Sequence, residues 1–349
     1  MDLQRRMMKR AVRIIIDKAF RDIQNGKDKD LRRNIRNLVD LGMHFAKGPN
    51  QRHFFNLALE VLSNPENPYN DLIGNAVKFI DLNTLKTAGI NLGYGSFVYG
   101  VHTLRHEEPT LGHHIPWGVL LDLRKSGERA LSTDRLLGLV AEGKGIGILF
   151  YLIYADAPED IDFAVRLAQA NGECTFLISA VPDIITEAFV LKAERCPNIM
   201  ISVGVGENGA FDLGSENAFD LLRMHRCLYG FYAYYHSGNA DNYLSEEYLS
   251  GMIGCGCFFG IFINDDKDGS KAEDRVYEFV RLVRGKNGRP ILTFDWYRDM
   301  AWISNAVSCG CDLMKIDVSG EVAALNGRGK VDARDETLKE MIKTVMPGL

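Results

Sequence analysis

The sequence predicts an α/β fold, a partial β/α barrel behind an all-helical N-terminal region, and three observations carry that expectation. From residue 115 onward, short apolar runs alternate with amphipathic stretches. Before about residue 110 apolar residues recur only at three- and four-residue spacing. The two rhythms never mix, which sets the helical region at 1–110 and the barrel at 115–285, with a C-terminal extension over 286–349.

Taken in order, QRRMMKRAVRIIIDKAFRDIQ, DLRRNIRNLVDLGMHFA, QRHFFNLALEVLS, PYNDLIGNAVKFID and NTLKTAGINLGYGSFVYGVHTLR read as helices, broken at NGKDKD, KGPN and NPENPYN. Gly89, Gly93 and Gly100 weaken the last as one unbroken helix while allowing close approach of another element. Strands follow at 117–122, 147–154, 175–180, 198–204, 229–235 and 258–264, with helices fitted between them. Six such units on parallel strands make a partial (β/α)6 barrel, each helix covering a face of the sheet. A helix at 272–285, a further strand in RPILTFDWYRD and a hairpin in LMKIDVSGEVAAL, turning at Ser319-Gly320, complete the reading.

Composition narrows the function classes. The chain has 349 residues, 46% hydrophobic and 25% charged, with a net charge of −5, the profile of a protein with a sizeable core. Its longest apolar stretch, 88–101, has 14 residues, short of the roughly 20 that span a bilayer. No secretory signal is read at MDLQRRMMKR, and the seven cysteines are odd in number, so a reducing, cytoplasmic setting is expected rather than a disulfide framework. Residues 1–37 hold 12 Lys and Arg against 5 Asp and Glu. They read as wet faces of surface helices, since no nucleic-acid motif accompanies them.

Several motifs invite a sharper reading and each has a plainer one. GVGENG (204–209) has dinucleotide-loop spacing, but the next helix begins only near Ser215. NDDKDG (264–269) opens like a calcium loop, yet Arg275 stands where a bidentate Glu is needed. Cys255, Cys257, Cys309 and Cys311 form two CGC pairs that would make a metal site if they met, against core filling as the default. His102 and His106 share a helix face ahead of the first strand, near His113 and His114, on the side of a barrel away from its usual catalytic end. At the strand ends His236 is the acid–base candidate, with Asp156, Asp266 or Asp295 as carboxylate partners.

With these residues in view, the chain resembles the radical S-adenosylmethionine superfamily nearly end to end. The likeness is to the hopanoid-type group, with a helical N-terminal domain and a C-terminal extension for an auxiliary cluster. IPWGVLLD matches the strand that leads into that family's CxxxCxxC loop, and the loop here is shorter and holds no cysteine. The family's GGEP-like motif stands as Ala155, Asp156, Ala157 and Pro158. Its TNG-type segment is Ala180, Val181 and Pro182, and its acidic SVEG-type position is Gly204. Auxiliary-cluster cysteines would fall near Ala306 and Leu325, while DWYRDM (295–300) and IDVSGEV (316–322) keep the outline of the extension. The resemblance implies the barrel with its cluster and S-adenosylmethionine residues replaced. The expected function is therefore that of a pseudoenzyme without cofactor or metal: a partner, scaffold or substrate-presenting subunit, with an active paralogue as one candidate partner. A protein partner or oligomer is expected, with a peptide or small molecule as the occupant of the barrel, and no nucleic acid. The alternative is a cluster-independent enzyme or small-molecule-binding protein in the vacated mouth.

Overall fold

Helix α1 (Pro68–Phe79) begins where the sequence supplies two start signals, Asn67 accepting the Tyr69 amide and Pro68 opening the first turn. Asp81 caps α2 (Leu82–Ala88) through the Thr84 amide. A π-helical stretch, Gly89–Gly100, then runs into α3 (Val101–Leu111), so the segment is helical throughout but changes pitch where the glycines lie. Gly100 is needed for packing, because a Cβ there would stand 2.6 Å from the Gly147 carbonyl oxygen. This computed structural model describes residues 66–124, 131–206, 213–266, 271–285, 288–308, 310–325 and 329–349, with scattered positions between 10 and 64.

Strands and helices then alternate: β1 (Gly118–Asp122), α4 (Thr133–Ile146), β2 (Phe150–Ala155), α5 (Pro158–Ala170), β3 (Thr175–Ala180), α6 (Glu187–Ala193), β4 (Ile199–Gly204), α7 (Leu213–Met224), β5 (Tyr229–Tyr235), α8 (Glu246–Gly254), β6 (Phe259–Asn264), α9 (Lys271–Val283) and β7 (Leu292–Asp295). After them come α10 (Trp296–Ser308), β8 (Met314–Asp317), β9 (Glu321–Ala324), β10 (Val331–Asp332) and α11 (Leu338–Val345). All six expected barrel strands are present, and β3 and β5 have the expected limits. Helix α6 is shorter than its sequence pattern suggests, because Pro182–Ile184 winds into a 3-10 turn and Thr186 caps a new start.

The chain forms two compact units, each discontinuous in sequence: Asn91–Ile201 with Asp299–Leu349, and Met1–Ile90 with Ser202–Arg298. In the first, the strands lie in the order β10-β9-β8-β1-β2-β3. The pairs β8–β1, β1–β2 and β2–β3 are parallel, and the β8–β9–β10 meander is antiparallel. The hairpin expected at Ser319-Gly320 is therefore present, with Gly320 at a φ of 95° in its turn. Tyr151 donates its hydroxyl to the Val140 carbonyl of α4, so the face shared by Val119, Leu121, Tyr151, Ile153, Phe176 and Ile178 is the helix-covered one. The opposite face carries Leu120, Asp122, Leu152, Tyr154, Leu177, Ser179 and Lys315.

In the second unit β5, β6 and β7 are parallel. Phe231 meets Tyr248 of α8 edge-on at 5.7 Å, and Thr293 donates to the Val280 carbonyl of α9. These contacts mark the face bearing Phe231, Ala233, Tyr235, Phe262, Asn264, Thr293 and Asp295 as helix-covered. The other face carries Tyr232, Tyr234, Ile261, Ile263 and Phe294. A Cβ on Gly230 would lie 2.1 Å from the Phe259 carbonyl oxygen and 2.6 Å from its ring. Gly230→Ala is accordingly expected to cost about 1–3 kcal/mol, read as a lower urea midpoint. An unchanged midpoint would mean that Phe259 yields freely.

Candidate functional site

In parallel α/β sheets the side chains at the strand C-termini meet the solvent where ligands are taken. In the first unit β1 ends on Asp122, which is only 6% exposed. Arg124, two residues on, turns back and grips it with Nε to Oδ1 at 2.8 Å and Nη2 to Oδ2 at 2.9 Å. Lys315 of β8 adds an ion pair from Nζ to Oδ2 at 3.0 Å. The Arg124 guanidinium also lies 4.6 Å from the ring centre of Tyr154, at the end of β2. Burial alone would push the Asp122 carboxyl up, but the hydrogen bonds and charges of Arg124 and Lys315 outweigh it and hold the group below the usual carboxylate range. Three adjacent strands, β8, β1 and β2, thus meet in one charged knot.

An iron–sulfur cluster does not fit these residues. Such a cluster needs thiolates, and the sequence from Leu123 to Leu131 has none. The side chains that converge at the end of β1 are an arginine and a lysine, and their charge opposes iron binding. Residues 125–130 lie outside the described residues. The other positions singled out by the resemblance are spread along the strand ends: Ala155 is buried at the end of β2, Asp156 is exposed beside it, and Ala157 precedes α5. Ala180 is buried at the end of β3, with Val181 half-buried after it. Gly204 has a packing reason, since the Tyr232 hydroxyl lies 2.7 Å from where a Cβ would stand.

The second unit brings together part of the acid–base set. Ser237, next to His236, donates both its amide and its hydroxyl to Asp266 at 2.8 and 2.6 Å, which ties the ends of β5 and β6. The His236 ring turns the other way: its Nδ1 accepts the Gly238 amide at 3.0 Å, so any proton on the neutral ring sits on Nε2. Asp295 is buried on the helix-covered face. There it accepts the Tyr235 hydroxyl on Oδ2 at 2.9 Å and the Arg298 amide on Oδ1 at 3.0 Å, in the manner of a cap for α10. Burial first, then the Asp295 charge, drives the Tyr235 phenol far above its ordinary value. Asp156 belongs to the other unit.

Of the cysteines, Cys257 and Cys311 are buried, Cys255 is half-buried and Cys309 lies outside the described residues. Cys311 Sγ lies 3.3 Å from the Met346 sulfur. Gly256, between Cys255 and Cys257, has a φ of 84°, so that pair sits in a turn. His102 and His106 are exposed on α3. Among the described residues no three His, Cys, Asp or Glu side chains gather as a metal-binding group. GVGENG and NDDKDG run beyond Gly206 and Asp266 into residues outside those described. No described helix is long and apolar enough to cross a membrane.

The sequence reading missed Lys315 and its link to Asp122. The available signal was a lone lysine between Met314 and Ile316 in a strand, but nothing local says that β8 returns to pair with β1.

No protein-family model matches the chain, and no curated protein matches it in sequence. Solved structures do. SuiB of Streptococcus suis, a radical S-adenosylmethionine enzyme, aligns in its complex with the precursor peptide SuiA at 13% identity and a TM-score of 0.53, over 69% of this chain and 68% of that one. The same protein bound to S-adenosylmethionine aligns at 11% identity and a TM-score of 0.50, over 69% and 67%. Native anSMEcpe with bound AdoMet gives 12% identity and a TM-score of 0.46, over 65% and 80%. What the SuiB likeness shows is the fold: mostly parallel strands with intervening helices and an antiparallel C-terminal meander, in the class of the radical S-adenosylmethionine partial barrel.

Proposed function

We propose that this chain is a cluster-free protein on the radical S-adenosylmethionine scaffold, acting by binding rather than by radical chemistry. Its role on this reading is to present or hold a peptide or protein partner, with an active paralogue as one such partner. The observation that carries the reading is the charged knot of Asp122, Arg124 and Lys315, where the resemblance puts the cluster loop. The peptide class draws support from SuiB, whose structure is known with a precursor peptide. Proton-transfer chemistry centred on His236 has less behind it, because Asp295 is engaged as a helix cap and the His236 Nδ1 is taken by a backbone amide.

The test is iron and acid-labile sulfide content after anaerobic reconstitution, beside an active member of the superfamily. We expect this chain to hold only the background of a protein without cluster ligands. About four irons per chain would overturn the reading, by showing that other cysteines ligate a cluster.

A further inference from the structure

We propose that His102 and His106 of α3 form a surface site for one divalent ion of the kind that favours imidazole, Zn²⁺ or Ni²⁺. The site lies ahead of β1, away from the strand C-termini, and stands whether or not the chain presents a peptide.

The spacing decides which histidines act together. Four residues make slightly more than one helical turn, so positions 102 and 106 lie one above the other, with Cβ atoms about 5–6 Å apart. Both fall inside the α-helix Val101–Leu111. The buried positions of that helix are Val101, Leu104 and Glu108, which turns His102, Arg105 and His106 toward the solvent. Two imidazoles so placed reach one ion with metal–nitrogen bonds of about 2.0–2.1 Å.

Both rings are available. His102 is exposed and makes no hydrogen bond or ion pair among the described residues. The His106 side chain is 78% exposed, and its Nδ1 lies 3.5 Å from Glu107 Oε1. That contact leaves Nε2 as the ligating atom and sets a carboxylate behind the ring, an arrangement that strengthens an imidazole as a ligand. Glu107 is itself held by Lys339, whose Nζ lies 3.4 Å from Oε2. His113 and His114 are engaged elsewhere: Nδ1 of the first faces the Leu111 carbonyl at 3.4 Å, and Nδ1 of the second faces Glu108 Oε1 at 3.3 Å. Arg105 opposes the ion only as an exposed charge, screened by water and salt. Two protein ligands fall short of the four of a structural zinc site. The remaining positions go to water, and the ion exchanges freely.

The test is calorimetry of the full chain, free of any histidine tag, with Zn²⁺ and separately with Ni²⁺, in a buffer that does not chelate metal. We expect one ion per chain above what the double variant His102→Gln/His106→Gln binds, a comparison that subtracts ions held by cysteines. Each single variant, His102→Gln or His106→Gln, should weaken that ion by at least about tenfold, whereas His113→Gln should leave it unchanged. Both positions are exposed, so the fold tolerates the changes, and circular dichroism confirms it. Neither ion binding above the double variant, or undiminished affinity in either single variant, would overturn the proposal.

Discussion

Asp122→Asn lowers the stability of this protein by about 2–4 kcal/mol at neutral pH, and the loss fades in acid. The substitution leaves Arg124 and Lys315 facing a neutral amide in a place built for a carboxylate. Both cations can relax into solvent, which keeps the cost below that of a fully buried pair. The pH dependence follows from the sign of the carboxyl shift. In the folded chain Asp122 titrates below the usual range, so the unfolded chain takes up the proton first as pH falls. The stabilisation is thus complete above the ordinary carboxylate value of about 3.9 and is lost as pH falls through the lower folded value. Urea denaturation of both proteins at pH 7 and near pH 3 measures it. A gap between them that stays the same at both pH values would refute the knot as an ionic device.

Asp295→Ala is expected to cost about 3 kcal/mol, and Tyr235→Phe about 1–2. Removing the carboxylate strips the cap from α10 and leaves a buried hydroxyl without its acceptor, whereas removing the hydroxyl leaves the cap in place. Both groups lie on the helix-covered face of β5 and β7, so the pair joins sheet to helix start. A double-mutant cycle by urea midpoints should return a clear coupling, because the two substitutions remove one shared bond. Strict additivity would mean that the Tyr235–Asp295 bond contributes nothing of its own.

These two sites show where sequence reasoning reaches and where it stops. The run of β5, YGFYAYY, announces its limits because aromatic and β-forming residues fill it between turn-rich flanks. Asn67-Pro68 and the Ser319-Gly320 turn are local signals, and the structure uses both. The role of Asp295 is different. Its position at a strand end suggested chemistry, yet the face it occupies depends on the register of β6 against β7, which no local pattern fixes. Lys315 is a stronger case, since its meaning depends on a strand far along the chain pairing with β1. Residue type named the candidates; long-range pairing decided which became partners.

The pairing of β1 with β8 also bears on how the chain reaches its fold. Synthesis delivers Asn91–Ile201 before any of residues 202–298, and only after those Asp299–Leu349, which completes the unit begun at Asn91. Until β8 emerges, β1 lacks its neighbour on one side, and the Asp122 carboxylate waits without Lys315. At about 5–20 residues per second the exposed edge persists for about ten to forty seconds on the ribosome, a long time beside the microseconds in which a hairpin closes. Pairings so distant in sequence are slow to form and leave unpaired edges open to aggregation. Truncation after the seventh strand would therefore leave a nascent chain in need of chaperones, with its first strand waiting for a partner not yet made.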